Sequence, residues 1–137
     1  MIHRRFIDSN VFIYVLSKDP RYSQRALKIL EEAEEGLYDA YTSSLVISQV
    51  LAYLERRCKD KAMYMFLEYL ESGPISVIET TLQDFVEAKK LAMLYSLDFS
   101  SLWDDLVIAS QMIKLGIEEI YSNDSDFDRI PRIRRIF

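Results

Sequence analysis

The chain has 137 residues, half of them apolar and 28% charged, a size and composition that fit one folded domain and exclude a disordered or collagen-like chain. With one His and one Cys it can hold neither a Cys/His zinc site nor an internal disulfide, and the expected compartment is the reducing cytoplasm. Its 17 Lys and Arg stand against 22 Asp and Glu, a net charge of −5, which argues against binding nucleic acid through a basic surface alone and leaves carboxylate chemistry as the resource.

Arg5-Phe6-Ile7 predicts a short first strand, and Asn10 to Ser17 a helix with apolar Val11, Phe12, Val15 and Leu16. Arg21 to Glu35 predicts an amphipathic helix with Ala26, Leu27, Leu30 and Ala33 inward, ended by Gly36. A strand over Asp39 to Thr42 follows, then a helix over Ser44 to Arg57 that is apolar nearly all round and so expected to be central. Asp60 to Glu71 reads as a helix closed by Ser72-Gly73-Pro74, and Ile75 to Glu79 as a strand. Thr80 to Gln83 has capping-box spacing and opens a helix to Ser96. A helix over Ser101 to Leu115 stops at Gly116, Glu119 to Tyr121 is a strand, and Arg132 to Phe137 a terminal strand. Strands alternating with helices imply an α/β fold, a parallel sheet with helices on both faces, over a single domain 1–137. No apolar run approaches the roughly 20 residues that cross a bilayer, and the N-terminal stretch does not read as a signal peptide.

Most acids have an ordinary explanation: Glu31, Glu32, Glu34 and Glu35 fall on the solvated face of their helix. Three places differ. Asp8 directly follows the first strand, where open α/β sheets bind ligands; the other reading is an N-cap. In Ser101-Leu102-Trp103-Asp104-Asp105-Leu106, Ser101 as N-cap puts Asp104 at N3, a position that accounts for it by helix-end electrostatics. Asp105 falls roughly 60° from the centre of the stripe formed by Leu102, Leu106, Ala109 and Ile113. A carboxylate there is costly unless paired or bound to a cation, so Asp105 is the stronger candidate of the two. Third, Asp124, Asp126 and Asp128 follow the penultimate strand, either as an Asx-rich turn or as a cation site. An EF-hand is excluded, because its glycine and twelfth-position Glu are missing. If the first and penultimate strands are neighbours, these acids converge. Converging carboxylates cannot all ionise at neutral pH without a cation. Oxygen-only ligands select Mg²⁺ or Mn²⁺, ions suited to phosphodiester hydrolysis.

Four segments in order resemble the PIN-domain nucleases, in particular the small VapC-type toxins of toxin–antitoxin pairs. They are Ile7-Asp8-Ser9-Asn10-Val11; Thr42 to Ser48; Asp105-Leu106-Val107-Ile108-Ala109-Ser110 with Gly116 beyond; and Ser122-Asn123-Asp124-Ser125-Asp126-Phe127. The resemblance implies a three-layer fold around a parallel sheet of order 3-2-1-4-5, and Mg²⁺- or Mn²⁺-dependent hydrolysis of RNA. It also implies a cognate antitoxin as partner, a homodimer and no membrane role. Carried over by position, it implies Asp8, Asp105 and Asp124 as metal ligands and Asp126 as a further catalytic acid. Ser122 is implied as a hydroxyl beside the site and Asn10 as the residue orienting Asp8, with Asp104 accessory. The family's second acid is a Glu, and Gln49 stands there instead, leaving the site one negative charge short. The other reading is therefore a weakened or inactive PIN-domain protein acting as an interaction module. Haloacid dehalogenase-like phosphatases need an Asp where Asn10 stands, and a receiver domain needs a phosphoacceptor where the third strand ends at Glu79-Thr80. The basic cluster Arg129, Arg132, Arg134 and Arg135 reads either as protection of an edge strand or as phosphate contacts near the acids.

Overall fold

A computed structural model describes residues 2–137. Its elements are β1 (Arg4–Ile7), α1 (Ser9–Leu16), α2 (Ser23–Glu34), β2 (Asp39–Ser43), α3 (Ser44–Arg56), α4 (Asp60–Ser72), β3 (Ser76–Ile78), α5 (Leu82–Leu94), α6 (Phe99–Lys114), β4 (Glu119–Tyr121) and β5 (Arg134–Ile136), with a 3₁₀ turn over Ser125–Arg129 before β5. The five strands form one all-parallel sheet in the order β3-β2-β1-β4-β5. The fold class expected from the sequence is thus observed, strand order included. Among the described residues no helix is long and apolar enough to cross a membrane.

The sheet is built outward from β1. Phe6 and Ile7 are fully buried, as a central parallel strand covered on both faces requires. The chain runs from β1 through β2 to β3 on one side, then crosses back through α5 and α6 to place β4 on the other side of β1. Ile7 pairs with Tyr121, so the carboxyl ends of β1 and β4 lie side by side where the strand order reverses. At the opposite end of the same pairing Glu119 is buried and neutralised by Arg5 and Arg134. Helices α1 and α4 meet through Phe12 and Phe66, packed edge to face at 5.2 Å. The helix-ending glycines Gly36 and Gly116 have φ of +75° and +69°, the left-handed conformation that a C′ position asks for.

Four local expectations are corrected. Leu27 is 46% exposed and Ile29 is buried in its place, because the inward face of α2 follows Ala26, Ile29, Leu30 and Ala33. Helix α3 buries only Val46, Val50 and Leu54, whereas α6 is buried continuously from Asp105 to Met112; α6, with α5 packed along it, is the enveloped helix. The capping box of α5 pairs Thr81 with Asp84, one residue later than the Thr80–Gln83 spacing suggests. The Thr80 hydroxyl is taken instead by the Leu45 amide and the Gln111 side chain. Helix α6 starts at Phe99 behind an Asp98 cap, so Ser101 is not the N-cap and Asp104 is not at N3.

Asp84, 3% exposed, ties α5 to α6. It accepts hydrogen bonds from the Thr81 amide at 2.9 Å, Lys114 Nζ at 3.0 Å and Gln111 Nε2 at 3.1 Å. Burial works against its charge, but these donors hold its carboxyl below the usual range. Replacing Asp84 by Ala should cost about 2–3 kcal/mol, since it removes a cap and leaves buried donors unmet. Lys114→Ala should cost about 1 kcal/mol or less, because that ammonium is solvated and its loss strands no buried donor. Urea unfolding of the three proteins checks this; equal losses for the two variants would contradict it.

Candidate metal centre

At the carboxyl end of β1, Asp8 is 4% exposed. It caps α1 by accepting the Ser9 amide on Oδ1 at 2.8 Å. The Ser122 hydroxyl donates to its Oδ2 at 2.7 Å, and Asn10 Nδ2 lies 3.3 Å from the same oxygen. Both expected roles of Asp8 are therefore compatible: it is a cap, and it also faces the end of β4.

Ser122 is the hub. Its fully buried hydroxyl donates to Asp8 and accepts from Asn10 Nδ2 at 3.1 Å and from the Asp124 amide at 3.0 Å. Asn10 Oδ1 in turn accepts the Asn123 amide at 3.1 Å. The Asn123 side chain donates to the Tyr14 hydroxyl, and the Ser122 amide to the Ile136 carbonyl. One short hydroxyl thus locks the β4 turn to β1. Tyr14 carried no signal in the sequence, since its spacing reads as ordinary helix packing.

Beyond the hub the Asp124 side chain turns back to accept the Asp126 amide at 2.9 Å, starting the 3₁₀ turn. This turn faces Asp105, 6% exposed on α6. Carboxylate oxygens of Asp105, Asp124 and Asp126 all lie within 4.8 Å of one another. Oxygens on opposite sides of one octahedral Mg²⁺ are about 4.2 Å apart, so this donor set fits a single hard cation. Asp8 adjoins the trio without being one of its three donors. Asp128, by contrast, turns away into a two-pronged bond with Arg135, at 3.0 Å on each prong.

Asp104 holds the unexpected position. Its Oδ2 accepts Gln49 Nε2 from α3 at 3.1 Å, and its Oδ1 accepts the Asp105 amide. The amide that stands where the sequence offers no acid thus lies on α3 against a carboxylate on α6. Of the basic cluster, Arg129 reaches Asp126 at 4.0 Å and Arg135 lies against the Ser122 carbonyl, whereas Arg134 pairs with Glu119 at the far end of the strands.

The electrostatics follow from burial. Burial first, then the negative charges of Asp104, Asp124, Asp8 and Asp126, push the Asp105 carboxyl up to about 8. Burial pushes Asp8 up to about 6; the Ser122 and Ser9 donors pull it back, and Asp124 and Asp104 add to the rise. At these positions the Asp105 carboxyl keeps its proton at neutral pH while Asp8 is mostly ionised, and a divalent ion is the group that would displace that proton.

The PIN domain family model matches residues 5–133. No characterised relative matches by sequence at a significant level. Among solved structures, the chain is similar to Mycobacterium tuberculosis VapC20, a Sarcin-Ricin loop cleaving toxin, with 19% identity and a TM-score of 0.74 over 90% of this chain and 92% of that one. It is also similar to Rickettsia felis VapBC2 bound to a DNA fragment from its promoter, at 19% identity and a TM-score of 0.71 over 97% of each chain. DNA-bound VapBC from Salmonella typhimurium is similar at 15% identity and a TM-score of 0.68, over 99% of this chain and 98% of that one.

Carboxyls raised in the folded state take up protons on folding. Their contribution to stability is full below about pH 4 and is lost as pH rises through about 6 for Asp8 and about 8 for Asp105. In EDTA, Asp105→Asn should therefore be more stable than the parent at pH 8 by at least about 1 kcal/mol, a few degrees in Tm. The gap should narrow toward pH 5, where the parent carboxyl is already neutral. Thermal melts at both pH values read this, and a gap that stays constant or widens on acidification would refute it.

Proposed function

The chain belongs to the PIN-domain family, and from that premise we propose that it is a divalent-metal-dependent endoribonuclease, the toxin of a VapBC-type toxin–antitoxin pair. The observation that carries this reading is the trio Asp105, Asp124 and Asp126, oxygen donors within 4.8 Å of one another beside the carboxyl end of a parallel sheet.

In this reading Asp105, Asp124 and Asp126 would hold Mg²⁺ or Mn²⁺, and the chemistry such an ion would supply when bound is activation of a water and neutralisation of phosphate charge. Asp8 adds its charge at the same site. Its Oδ1 accepts only the Ser9 amide, which leaves a lone pair for the ion or its hydration shell. Ser122 and Asn10 fix the rotamer of Asp8, so its carboxylate needs no reorganisation when substrate arrives. Arg129, 52% exposed at the rim, offers a guanidinium group to the phosphates of a bound strand. It supplies locally what a chain of net charge −5 lacks overall.

RNA as the substrate is supported by the Mycobacterium tuberculosis neighbour, a toxin that cleaves the sarcin–ricin loop. An antitoxin partner is supported by the Rickettsia and Salmonella neighbours, which are VapBC assemblies. The surface suited to it is an apolar groove of about 330 Å³ between α1, α2 and α4, lined by Val15, Leu16, Leu27 and Met65 with Glu31 and Glu34 on its edge. A homodimer is part of the same proposal; Leu82, Met93 and Leu94 of α5 are exposed apolar side chains available to a second copy.

The test is cleavage of end-labelled structured RNA, with single-stranded DNA of the same sequence as control. Cutting is expected with Mg²⁺ or Mn²⁺, none with EDTA and none of the DNA. Asp105→Asn and Asp124→Asn should each slow cleavage by at least about a hundredfold, the upper end of what even indirect partners of a metal contribute. An unchanged rate in both variants would overturn the site. Absence of cleavage and of Mn²⁺ binding in the parent protein would assign it as an interaction module instead.

A further inference from the structure

Asp104 has no role as a helix cap, since α6 starts at Phe99. Among the described residues no Lys or Arg is paired with it. Its side-chain partner is the amide of Gln49, which reaches across from α3. The choice of partner matters. A guanidinium or ammonium would cancel the charge of Asp104, whereas a neutral amide fixes the direction of the carboxylate and leaves its charge in place. That charge sits next in the chain to Asp105 and beside the acidic trio, where it is unfavourable unless a cation shares the space.

Gln49 supplies a second, separate observation. Its Oε1 is buried with no donor among the described residues. Because Oε1 and Nε2 belong to one amide, this unmet acceptor lies beside the Asp104 carboxylate. Buried acceptors are nearly always satisfied, and one without a partner is costly. The two acceptors together ask for a donor that is positively charged or polarised by a positive charge. Hydrated Mg²⁺ or Mn²⁺ presents such donors, because these ions keep several waters when only part of their shell comes from protein.

We infer that Gln49 and Asp104 are a positioning pair. The α3 amide aims the α6 carboxylate at the hydration shell of the ion held by Asp105, Asp124 and Asp126, so that Asp104 acts through water. This places a fourth negative charge at the centre without adding a direct ligand. The inference rests on the metal-site reading above.

Calorimetric Mn²⁺ titration of the full chain at pH 7.5 tests it, with melts in EDTA to report folding. Asp104→Asn should weaken Mn²⁺ by roughly ten- to a hundredfold, and Gln49→Leu by about tenfold, as expected for partners that act on a metal through another group. Neither variant should melt below the parent in EDTA by more than a few degrees. The double variant Q49E/D104N keeps one amide and one carboxylate in contact, with the donor now on α6. It should bind Mn²⁺ more tightly than Asp104→Asn alone and return most of the lost affinity. Parental affinity in either Asp104→Asn or Gln49→Leu would overturn the inference, and so would a double variant no better than Asp104→Asn. Asp105→Asn separates the two levels. If it loses Mn²⁺ while Asp104→Asn does not, the positioning pair falls and the metal site stands. If the parent binds no Mn²⁺, or Asp105→Asn binds it unchanged, both fall.

Discussion

Like charges brought together at two adjacent strand ends are the constraint around which this molecule is arranged. Asp8 leaves β1, and Asp124 and Asp126 follow β4. Pairing Ile7 with Tyr121 makes those strand ends neighbours, and Asp105 on α6 meets the acids at the β4 end. Nothing in the hydrophobic effect favours this concentration of carboxylates; burial penalises each of them. The surroundings must therefore hold them in place. The buried strand β1, the enveloped helix α6 and the fully satisfied Ser122 hydroxyl do so. A side chain with one donor and two lone pairs, all in use, cannot rotate without breaking three contacts. That explains why a serine at the end of a three-residue strand can fix a turn that carries two of the acids.

The chain treats its buried and half-buried acids in three distinct ways, and the differences separate scaffold from site. Glu119 and Asp84, both buried, are matched with arginine or lysine and fasten elements together, as exposed Asp128 does with Arg135. Asp8 and Asp104 accept hydrogen bonds only from neutral groups: hydroxyl, amide and backbone. Asp105, Asp124 and Asp126 face one another, with only exposed Arg129 at the margin. Charge compensation thus thins out toward the centre. A purely structural cluster would show the reverse, since the least solvated charges gain most from a partner.

Much of the architecture was legible in the sequence because the signals that encode it are local and repeated. Periodicity located every helix, and the alternation of short strands with helices specified a parallel sheet. The strand order came from resemblance to a family, since periodicity says nothing about which strands are neighbours. At the site, Asp8 and Asp124 could be read from their places after strands, and Asp105 from its place on an apolar helix face. Asp104 was misread because its explanation depended on a cap two residues wide of the true start of α6. The roles of Gln49, Asp84 and Tyr14 depend on partners that lie 55, 30 and 109 residues away. No local pattern encodes such pairings. Asp128 shows the same limit from the other side: it shares a run with Asp124 and Asp126, yet a 3₁₀ turn aims it out at Arg135.

The bond from Ser122 to Asp8 spans 114 residues of chain. Loops of that length close late, after local helices have formed, and β1 can meet β4 only when nearly all of the chain is available. During synthesis β1 is made well before its neighbour on that side, and Asp105 and the Asp124 turn follow only after α5. A chain extended only through α5 has Asp8 but none of Asp105, Asp124 and Asp126, so the acids come together in one step once β4 and its turn are made. The groove between α1, α2 and α4 is built entirely from segments that precede β3, so its two walls and floor are in hand before the acidic cluster can form.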